Sequence, residues 1–372
     1  MFRRTIRLAC VGAAAAAVAI GASAVPAAAA PSHSRTVLPG QSIQEALDAV
    51  SNGGRVTVMP GVYHENLLIT KNNITLKAYG ARLEPPEEPQ VTPCDSGPPE
   101  DDEGSAAATL TAEAEAAPVS GICVIGTRPE QPVRGVDIRG IDIRNFGLNG
   151  VIVLFAHNTS VVDGTFIDNH EYGLAAFESK GTRFANNRVE GSEDAGIYIG
   201  DSERANARVT GNEVAGNNLG IFLRNSQHGT VRDNNVHDNC AGILVLADAP
   251  GPAGAYRVSQ NLVTHNNRVC TDPEDPESKI SGSGIVLLGA HDMDIHRNIV
   301  NENVPGDPGA SPFAGGIVVV SGFGGTEPAS NRITRNTAFE NYFDILWDGS
   351  GTNNVLSHNS CAFSVPSGFC SL

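Results

Sequence analysis

The chain has 372 residues, with 41 Asp and Glu against 25 Lys and Arg, and a formal net charge of −16. A surface this acidic repels nucleic acids and anionic lipids, so we expect neither as a partner. It also repels polyuronates unless a divalent cation bridges the carboxylates.

The first thirty residues (1–30) are predicted to be a secretory signal peptide. Three arginines precede an apolar run from Leu8 to Val25, and small residues follow up to Ala30. This order is typical of cleavable export signals. Glycines interrupt the run, and no later segment is apolar for the ~20 residues that a membrane span needs. We therefore expect a secreted protein without a membrane anchor.

Residues 31–84 are predicted to form an N-terminal cap and the first coils of a repeat structure. An amphipathic helix from Ser42 to Val50 has Ser42 as its N-cap and Glu45 at the capping-box position. Short alternating strands follow in 55–76. A helix over the open end of a stack of strands covers an edge that would otherwise aggregate.

A glycine followed by an aliphatic residue recurs through the rest of the chain. The first four intervals are 23, 23, 24 and 22 residues, and the next two are 42 and 32. The added length lies in Pro-, Gly- and Asp-rich stretches at 271–283 and 305–314, which are predicted loops. The repeated steps are Gly150-Val151, Gly173-Leu174, Gly196-Ile197, Gly220-Ile221, Gly242-Ile243, Gly284-Ile285 and Gly316-Ile317.

An asparagine recurs in step with these glycines, and we predict that its amide bonds the asparagine of the next coil. The predicted ladder is Asn187, Asn212, Asn235, Asn261, Asn298, Asn336 and Asn359. A period near 23 with alternating strands excludes helical solenoids and propeller blades of ~40 residues. The predicted fold is all-β: a single-stranded right-handed parallel β-helix of about nine coils. It occupies 122–372, after an acidic insertion at 85–121.

Two segments near the start resemble the opening of pectate-lyase-like β-helix proteins. They are Ser42-Ile43-Gln44-x-Ala46 and Pro60 to Asn66, followed by Ile74-Thr75-Leu76. A similar opening occurs in pectin methylesterases and in periplasmic, copper-binding-type accessory proteins of nitrous-oxide reductase. The resemblance implies the right-handed parallel β-helix, whereas the superfamily includes lyases, hydrolases, esterases, epimerases and adhesins. The catalytic segments that identify its methylesterases and polygalacturonases are missing here.

Six of the seven cysteines remain after the signal peptide is removed. The sequence has no C-x-x-C motif or close Cys/His pair, which favours disulfides over a metal cluster. Six cysteines allow 15 pairings. Proximity along the chain favours the pairs that each bracket a single loop: Cys94–Cys123, Cys240–Cys270 and Cys361–Cys370.

A row of polar residues provides the candidate catalytic site. Glu178 and Asp201 each lie five residues after a repeat glycine, with Arg224 beside them and His157 one coil earlier. Carboxylates on adjacent coils are suited to Ca²⁺ binding, or to acid and nucleophile roles in a glycosidase. The alternative is a solvated turn in which Arg224 forms an ion pair of little energetic value.

Strand alternation also predicts an apolar stripe on the outside of the coil. The residue after each repeat glycine should point inward, and the following residue outward. The outward row would contain Tyr198 and Phe222 as its aromatic centre. Either an insertion covers this stripe, or it is a sugar-stacking, partner or homodimer surface.

The sequence therefore favours a secreted β-helix protein that binds or acts on an extracellular polysaccharide. An enzyme using Glu178, Asp201 and Arg224 is one alternative, with a lyase or epimerase favoured over a hydrolase. A structural or protein-binding solenoid without a carbohydrate ligand is the other. Ca²⁺ is the predicted cofactor if the carboxylate row binds a metal.

Overall fold

Short strands separated by tight turns are the repeating unit of the computed structural model. The structure describes residues 32–95, 117–248, 251–271, 279–307 and 311–371. The predicted signal peptide (1–30) and residues 96–116 of the acidic insertion lie outside these ranges. Residues Ser32–Leu372 form one compact unit.

Three parallel sheets, here sheets 1, 2 and 3 in the order in which the chain visits them, form the walls of a coil. The strands of sheet 1 are Ser32–Val37, Val50–Val58, Thr75–Ala78, Asp137–Arg139, Ser160–Val162, Arg183–Ala185, Ala207–Thr210, the end of Leu219–Arg232, Gly254–Ser259, Asp294–His296, Arg332–Thr334 and Val355–Ser357. The strands of sheet 2 are Gly61–His64, Ala81–Glu84, Asp142–Arg144, Thr165–Ile167, Arg188–Glu190, Glu213–Ala215, Asn235–His237, Leu262–Thr264, Ile299–Asn301, Thr337–Phe339 and Ser360–Cys361. The strands of sheet 3 are Leu67–Ile69, Ile122–Ile125, Val151–Leu154, Leu174–Phe177, Ala195–Ser202, the start of Leu219–Arg232, Ala241–Leu246, Ser283–Leu288, Gly315–Val320, Ile345–Trp347 and Ser364–Val365.

Each strand pairs with the corresponding strand of the next coil, so equivalent positions form columns along the solenoid. In sheet 3, for example, Val151 pairs with Leu174, which pairs with Ile197. Sheet 2 has eleven strands, one for each coil, which is two more than the nine coils expected. The all-β parallel β-helix is thereby confirmed.

The helix Ile43–Ala49 packs against the first strands, and Ser42 caps it by accepting a hydrogen bond from the Glu45 amide (3.1 Å). The predicted N-cap is confirmed. The carboxylate that satisfies the other free helical amides comes from Glu65, which accepts hydrogen bonds from Ile43 N (2.6 Å) and Gln44 N (3.0 Å). The segment following Pro60 thus holds the capping helix in place.

A buried asparagine ladder runs along the turn between sheets 1 and 2. Side-chain amides donate to the next side-chain carbonyl at 2.9–3.1 Å through Asn187, Asn212, Asn234, Asn261, Asn298, Asn336 and Asn359. Asn234 replaces the predicted Asn235, because Asn235 begins a strand of sheet 2. A second ladder, which the sequence analysis missed, lies between sheets 2 and 3 and contains Asn217, Asn239, Asn266, Asn303 and Asn341.

All three predicted disulfides are present, with Cα–Cα distances of 5.8, 5.9 and 5.0 Å for Cys94–Cys123, Cys240–Cys270 and Cys361–Cys370. The remaining regular elements are small. They are the pair Val133–Arg134 and Ala156–His157, the antiparallel pair Cys270–Thr271 and Lys279–Ile280, and a 3-10 turn at Phe323–Gly325.

Candidate functional site

Sheet 3 is apolar on both faces. The residues that follow the repeat glycines line the core inside the coil, as predicted: Val151, Leu174, Ile197, Ile221, Ile243, Ile285 and Ile317. The next residues point outward into a second apolar cluster: Ile152, Ala175, Tyr198, Phe222, Leu244, Val286 and Val318. The register derived from the sequence is therefore confirmed.

The outward stripe is buried within the chain. Its side chains are at most 9% exposed, and the same cluster includes Cys94, Tyr172, Ile280 and Phe313 from outside the predicted stripe. Of the two alternatives, the covered stripe is the one observed. The hypothesis of an open stacking or dimer surface centred on Tyr198 needs correction, because that residue is only 1% exposed.

Four aromatic rings pack together at the middle of this face. The Tyr198 ring lies 4.8 Å from Tyr172, 4.6 Å from Phe177 and 5.4 Å from Phe222, measured between centroids. Such tilted and edge-on contacts add to the stability gained from burial alone. The aromatic cluster thus fixes the direction in which the Tyr198 hydroxyl points.

The side chain of Tyr198 lies over Gly200, where a Cβ atom would overlap the ring and the hydroxyl. Glycine is therefore required at this position for steric reasons. With no side chain in the way, the Tyr198 hydroxyl lies near the Asp201 carboxylate and stabilises its charged form. The segment Tyr198-Ile199-Gly200-Asp201 thereby brings a phenol and a carboxylate together at the rim of sheet 3.

Asp201 belongs to a column of left-handed turn residues. Phe155, Glu178, Asp201 and Asn225 have φ values of 49°, 42°, 50° and 45°. The residues before the last three, Phe177, Gly200 and Arg224, pair in register. Glu178 and Asp201 therefore occupy the same turn position on adjacent coils, as the sequence predicts.

Arg224 and Asp248 complete the polar group. Arg224 donates to Oδ2 of Asp248 through Nε (3.0 Å) and Nη2 (2.8 Å), and its guanidinium lies near the Tyr198 hydroxyl. Asn225 hydrogen-bonds Asp248 and also stabilises the charged form of Asp201. We call Tyr198, Asp201, Arg224, Asn225 and Asp248 the Tyr–Asp–Arg cluster.

The electrostatics of the cluster favour a protonated phenol. Burial, followed by the charge of Asp201, raises the pKa of Tyr198 far above its ordinary value. Partial desolvation also raises the pKa of Asp201; nearby Asp248 adds to this effect and Arg224 opposes it. The phenol therefore stays protonated and can donate a hydrogen bond, and Asp201 is a stronger base than an exposed aspartate.

His157 is not part of this cluster. It lies two residues past the turn position of its coil, where its Nδ1 contacts Arg134 Nη1 (2.7 Å) and its backbone bridges to Lys180. Burial, then the charges of Arg134 and Lys180, lower the pKa of His157. The prediction that placed His157 in the carboxylate row is wrong, because this residue belongs to the short strand Ala156–His157, which pairs with Val133–Arg134.

The described residues contain no group of three or more His, Cys, Asp or Glu placed to hold a metal ion. The predicted Ca²⁺ site at Glu178 and Asp201 is therefore not supported; Tyr198, Arg224 and Asn225 are the groups that stabilise the charged form of Asp201. Within the same ranges, no helix is long and apolar enough to cross a membrane.

Comparisons with known proteins agree with the β-helix fold. A family model described as NosD, periplasmic copper-binding protein, matches residues 125–267. The chain is a parallel β-helix protein. A search of curated proteins gave no match.

Solved structures with the same fold share little sequence with this β-helix protein. The periplasmic alginate epimerase AlgG aligns with a TM-score of 0.55 at 14% identity, over 88% of this chain and 84% of the epimerase. The Dettilon tailspike protein (gp208) gives 0.52 at 12% identity, over 89% and 61%. DFA-IIIase from Arthrobacter chlorophenolicus A6 in complex with GF2 gives 0.50 at 11% identity, over 81% and 82%.

The side chains that the structure describes do not fit a copper site. Copper prefers imidazole, thiolate and thioether ligands. The six cysteines from Cys94 to Cys370 are paired in disulfides, and the described part of the chain has no cluster of histidines suited to a metal.

Asp248 was not found from the sequence, whereas Asn225 lies five residues after a repeat glycine and is thereby placed in the column of Glu178 and Asp201. Asp248 lies one residue beyond that column, in a turn before Gly254–Ser259 that differs from the earlier ones. The repeat pattern in the sequence therefore does not predict the position of Asp248.

Proposed function

We propose that this chain is an exported protein that binds an extracellular polysaccharide at the Tyr–Asp–Arg cluster. The observation that carries the proposal is the meeting of a phenol, two carboxylates and a guanidinium beside an aromatic cluster. Sugar hydroxyls both donate and accept hydrogen bonds, and a mixed set of donors and acceptors beside apolar rings suits them.

Export is supported by the three disulfides, which are typical of oxidising compartments, and by the predicted signal peptide. A carbohydrate ligand is supported by the alginate epimerase among the structural neighbours. Because that likeness is at the level of the fold, the residues themselves carry the argument for a binding site.

The exposure of its side chains also favours the Tyr–Asp–Arg cluster as a binding site. The Arg224 side chain is 44% exposed, and its partner Asp248 is 19% exposed. Beneath them, Phe222 at 9% and Tyr198 at 1% form an apolar floor. A sugar would therefore contact the guanidinium and Asp201 at the rim, while the buried rings hold those groups in place.

Catalysis is a second candidate function, and the raised pKa of Asp201 favours it. A lyase or epimerase removes a proton next to a uronate carboxyl, and a base with a raised pKa beside a cation suits that step. Asp201 would take the proton and Arg224 would face the developing negative charge. Glu178, one coil away, is the further candidate.

The test is a binding and turnover screen against uronate and neutral polysaccharides. Asp201→Asn and Tyr198→Phe should weaken binding about tenfold or more, because each removes a member of the hydrogen-bonded set. Asp168→Asn is the matched control, since Asp168 is also exposed and left-handed (φ 53°) but lies at a different turn.

The readouts separate the candidate functions. A binding isotherm without product supports the binding protein, whereas unsaturated ends or inverted uronate residues that disappear in Asp201→Asn support the enzyme. If the wild type binds no polysaccharide, or if Asp201→Asn behaves like Asp168→Asn, the proposed site is refuted.

A further inference from the structure

The outer face of sheet 1 concentrates positive charge in a chain that is acidic overall. Two adjoining hollows of about 390 and 330 Å³ share Arg257 and His296, so they form one groove along the solenoid. Six arginines line it: Arg208, Arg232, Arg257, Arg297, Arg332 and Arg335. The whole chain has only 25 Lys and Arg against 41 Asp and Glu.

The register spaces these arginines regularly. Arg208 pairs with Thr230, and Thr230 pairs with Arg257. Arg257 pairs with Asp294, which in turn pairs with Arg332. From Arg208 to Arg332 an arginine therefore occurs on every second coil of this column, about 9–10 Å apart at the usual spacing of strands. Arg183 pairs with Arg208 and lies one coil before the groove.

Few carboxylates neutralise the groove. Asp294 accepts from Arg257 (3.4 Å) and contacts His296 (3.1 Å), and Asp233 pairs with Arg232 (2.9 Å).

The other four arginines are exposed, and within the described residues their side chains make no ion pair or hydrogen bond: Arg208, Arg297, Arg332 and Arg335. The local field of the groove is therefore positive, even though the net charge is negative.

We propose that this groove binds an acidic polysaccharide through its uronate carboxylates, without a bridging cation. An extended uronate chain directs the carboxylates of alternate sugars to the same side, which matches arginines on alternate coils. Arginine forks pair well with carboxylates. Thr230 and Ser259, which lie between the arginines, add hydroxyl groups for sugar contacts.

Nucleic acid fits this groove less well. Single-strand sites combine a positive groove with aromatic side chains on which successive bases stack, and the described lining residues include no Phe, Tyr or Trp. The inference extends the proposed function to a second surface with different residues. It also corrects the expectation from net charge alone that polyuronates are repelled.

The experiment measures binding of polygalacturonate to the full chain in EDTA, with fully methyl-esterified polygalacturonate as the uncharged ligand of the same backbone. The wild type should prefer the acidic form. Arg257→Gln/Arg332→Gln should weaken its binding about tenfold, because two charge-assisted contacts are lost.

Arg188→Gln/Arg204→Gln is the matched control, since it removes the same net charge from exposed positions outside the groove. It should retain near wild-type affinity. If the groove variant has a lower unfolding midpoint, the single change Arg208→Gln replaces it, with an expected loss of about threefold.

Three results would overturn the inference: equal losses in groove and control variants, equal affinity for the esterified ligand, or tighter binding of single-stranded DNA than of polygalacturonate. Asp201→Asn separates the two proposals. If it abolishes binding of the acidic ligand while the groove variant does not, the groove is refuted and the Tyr–Asp–Arg cluster remains.

Discussion

Replacing Asn234 with alanine should destabilise the protein far more than the same change at the neighbouring Asn235. The Asn234 side chain is buried, donates to Val209 O (3.0 Å) and Asn261 Oδ1 (2.9 Å), and accepts from the backbone and side-chain amides of Asn212 (both 2.9 Å). Asn235 is half-buried on the outer side of sheet 2.

The magnitude follows from the groups left without partners. In the alanine variant, Asn212 Nδ2 still donates a hydrogen bond to Phe184 O, and Asn261 Oδ1 still accepts one from the backbone amide of residue 234. Both groups therefore keep a partner. The Asn212 amide loses its acceptor and the Val209 carbonyl loses a donor. At ~1–3 kcal/mol for each of these two groups, we expect a loss of about 2–6 kcal/mol.

Equilibrium urea unfolding with the disulfides intact measures this difference. Asn234→Ala should lower the midpoint with little change in slope, whereas Asn235→Ala should stay within ~0.5 kcal/mol of the wild type. If Asn235→Ala is the more damaging change, or if the two are equal, the ladder assignment is refuted.

Three further outcomes are expected. Gly200→Ala should displace the Tyr198 ring and abolish polysaccharide binding while leaving the fold intact by circular dichroism; unchanged binding would contradict the packing argument. Replacing Cys240 and Cys270 with serine should cost ~3–4 kcal/mol in urea unfolding, since their separation is 30 residues, and a loss below ~1 kcal/mol would contradict this estimate. Burial and then Asp194 raise the pKa of Glu171, so its charged form opposes folding. Glu171→Gln should therefore stabilise the protein at neutral pH, and the gain should vanish as the pH falls below ~4.3, where the unfolded carboxyl is also protonated.

The sequence predicted the coil well because its signals are local and repeated. A glycine before each aliphatic pair sets the register of sheet 3, and the inward position of Ile197 and the outward position of Tyr198 both follow from strand alternation. The disulfides were predictable for the same reason, since each pair brackets one loop.

The predicted positions were wrong where a shift of one or two residues moves a side chain to a different part of the coil. Asn234 and Asn235 are adjacent, and ladder intervals that vary by several residues cannot distinguish them. His157 was assigned from its spacing alone, but a short strand places it beside cations. Asp248 and the arginine groove depend on how different coils align in space, and no single segment of the sequence contains that information.

Because sheet 3 is buried on both faces, its strands should open locally less often than those of sheets 1 and 2. Strands such as Ser283–Leu288 are buried at every residue, whereas Asp294–His296 in sheet 1 alternates between buried and half-buried positions. Amide protons exchange with solvent when a segment opens, and opening costs most where a strand is packed on both sides. The amides of sheet 3 should therefore be the slowest to exchange with deuterium, and those of sheets 1 and 2 should exchange through smaller local fluctuations.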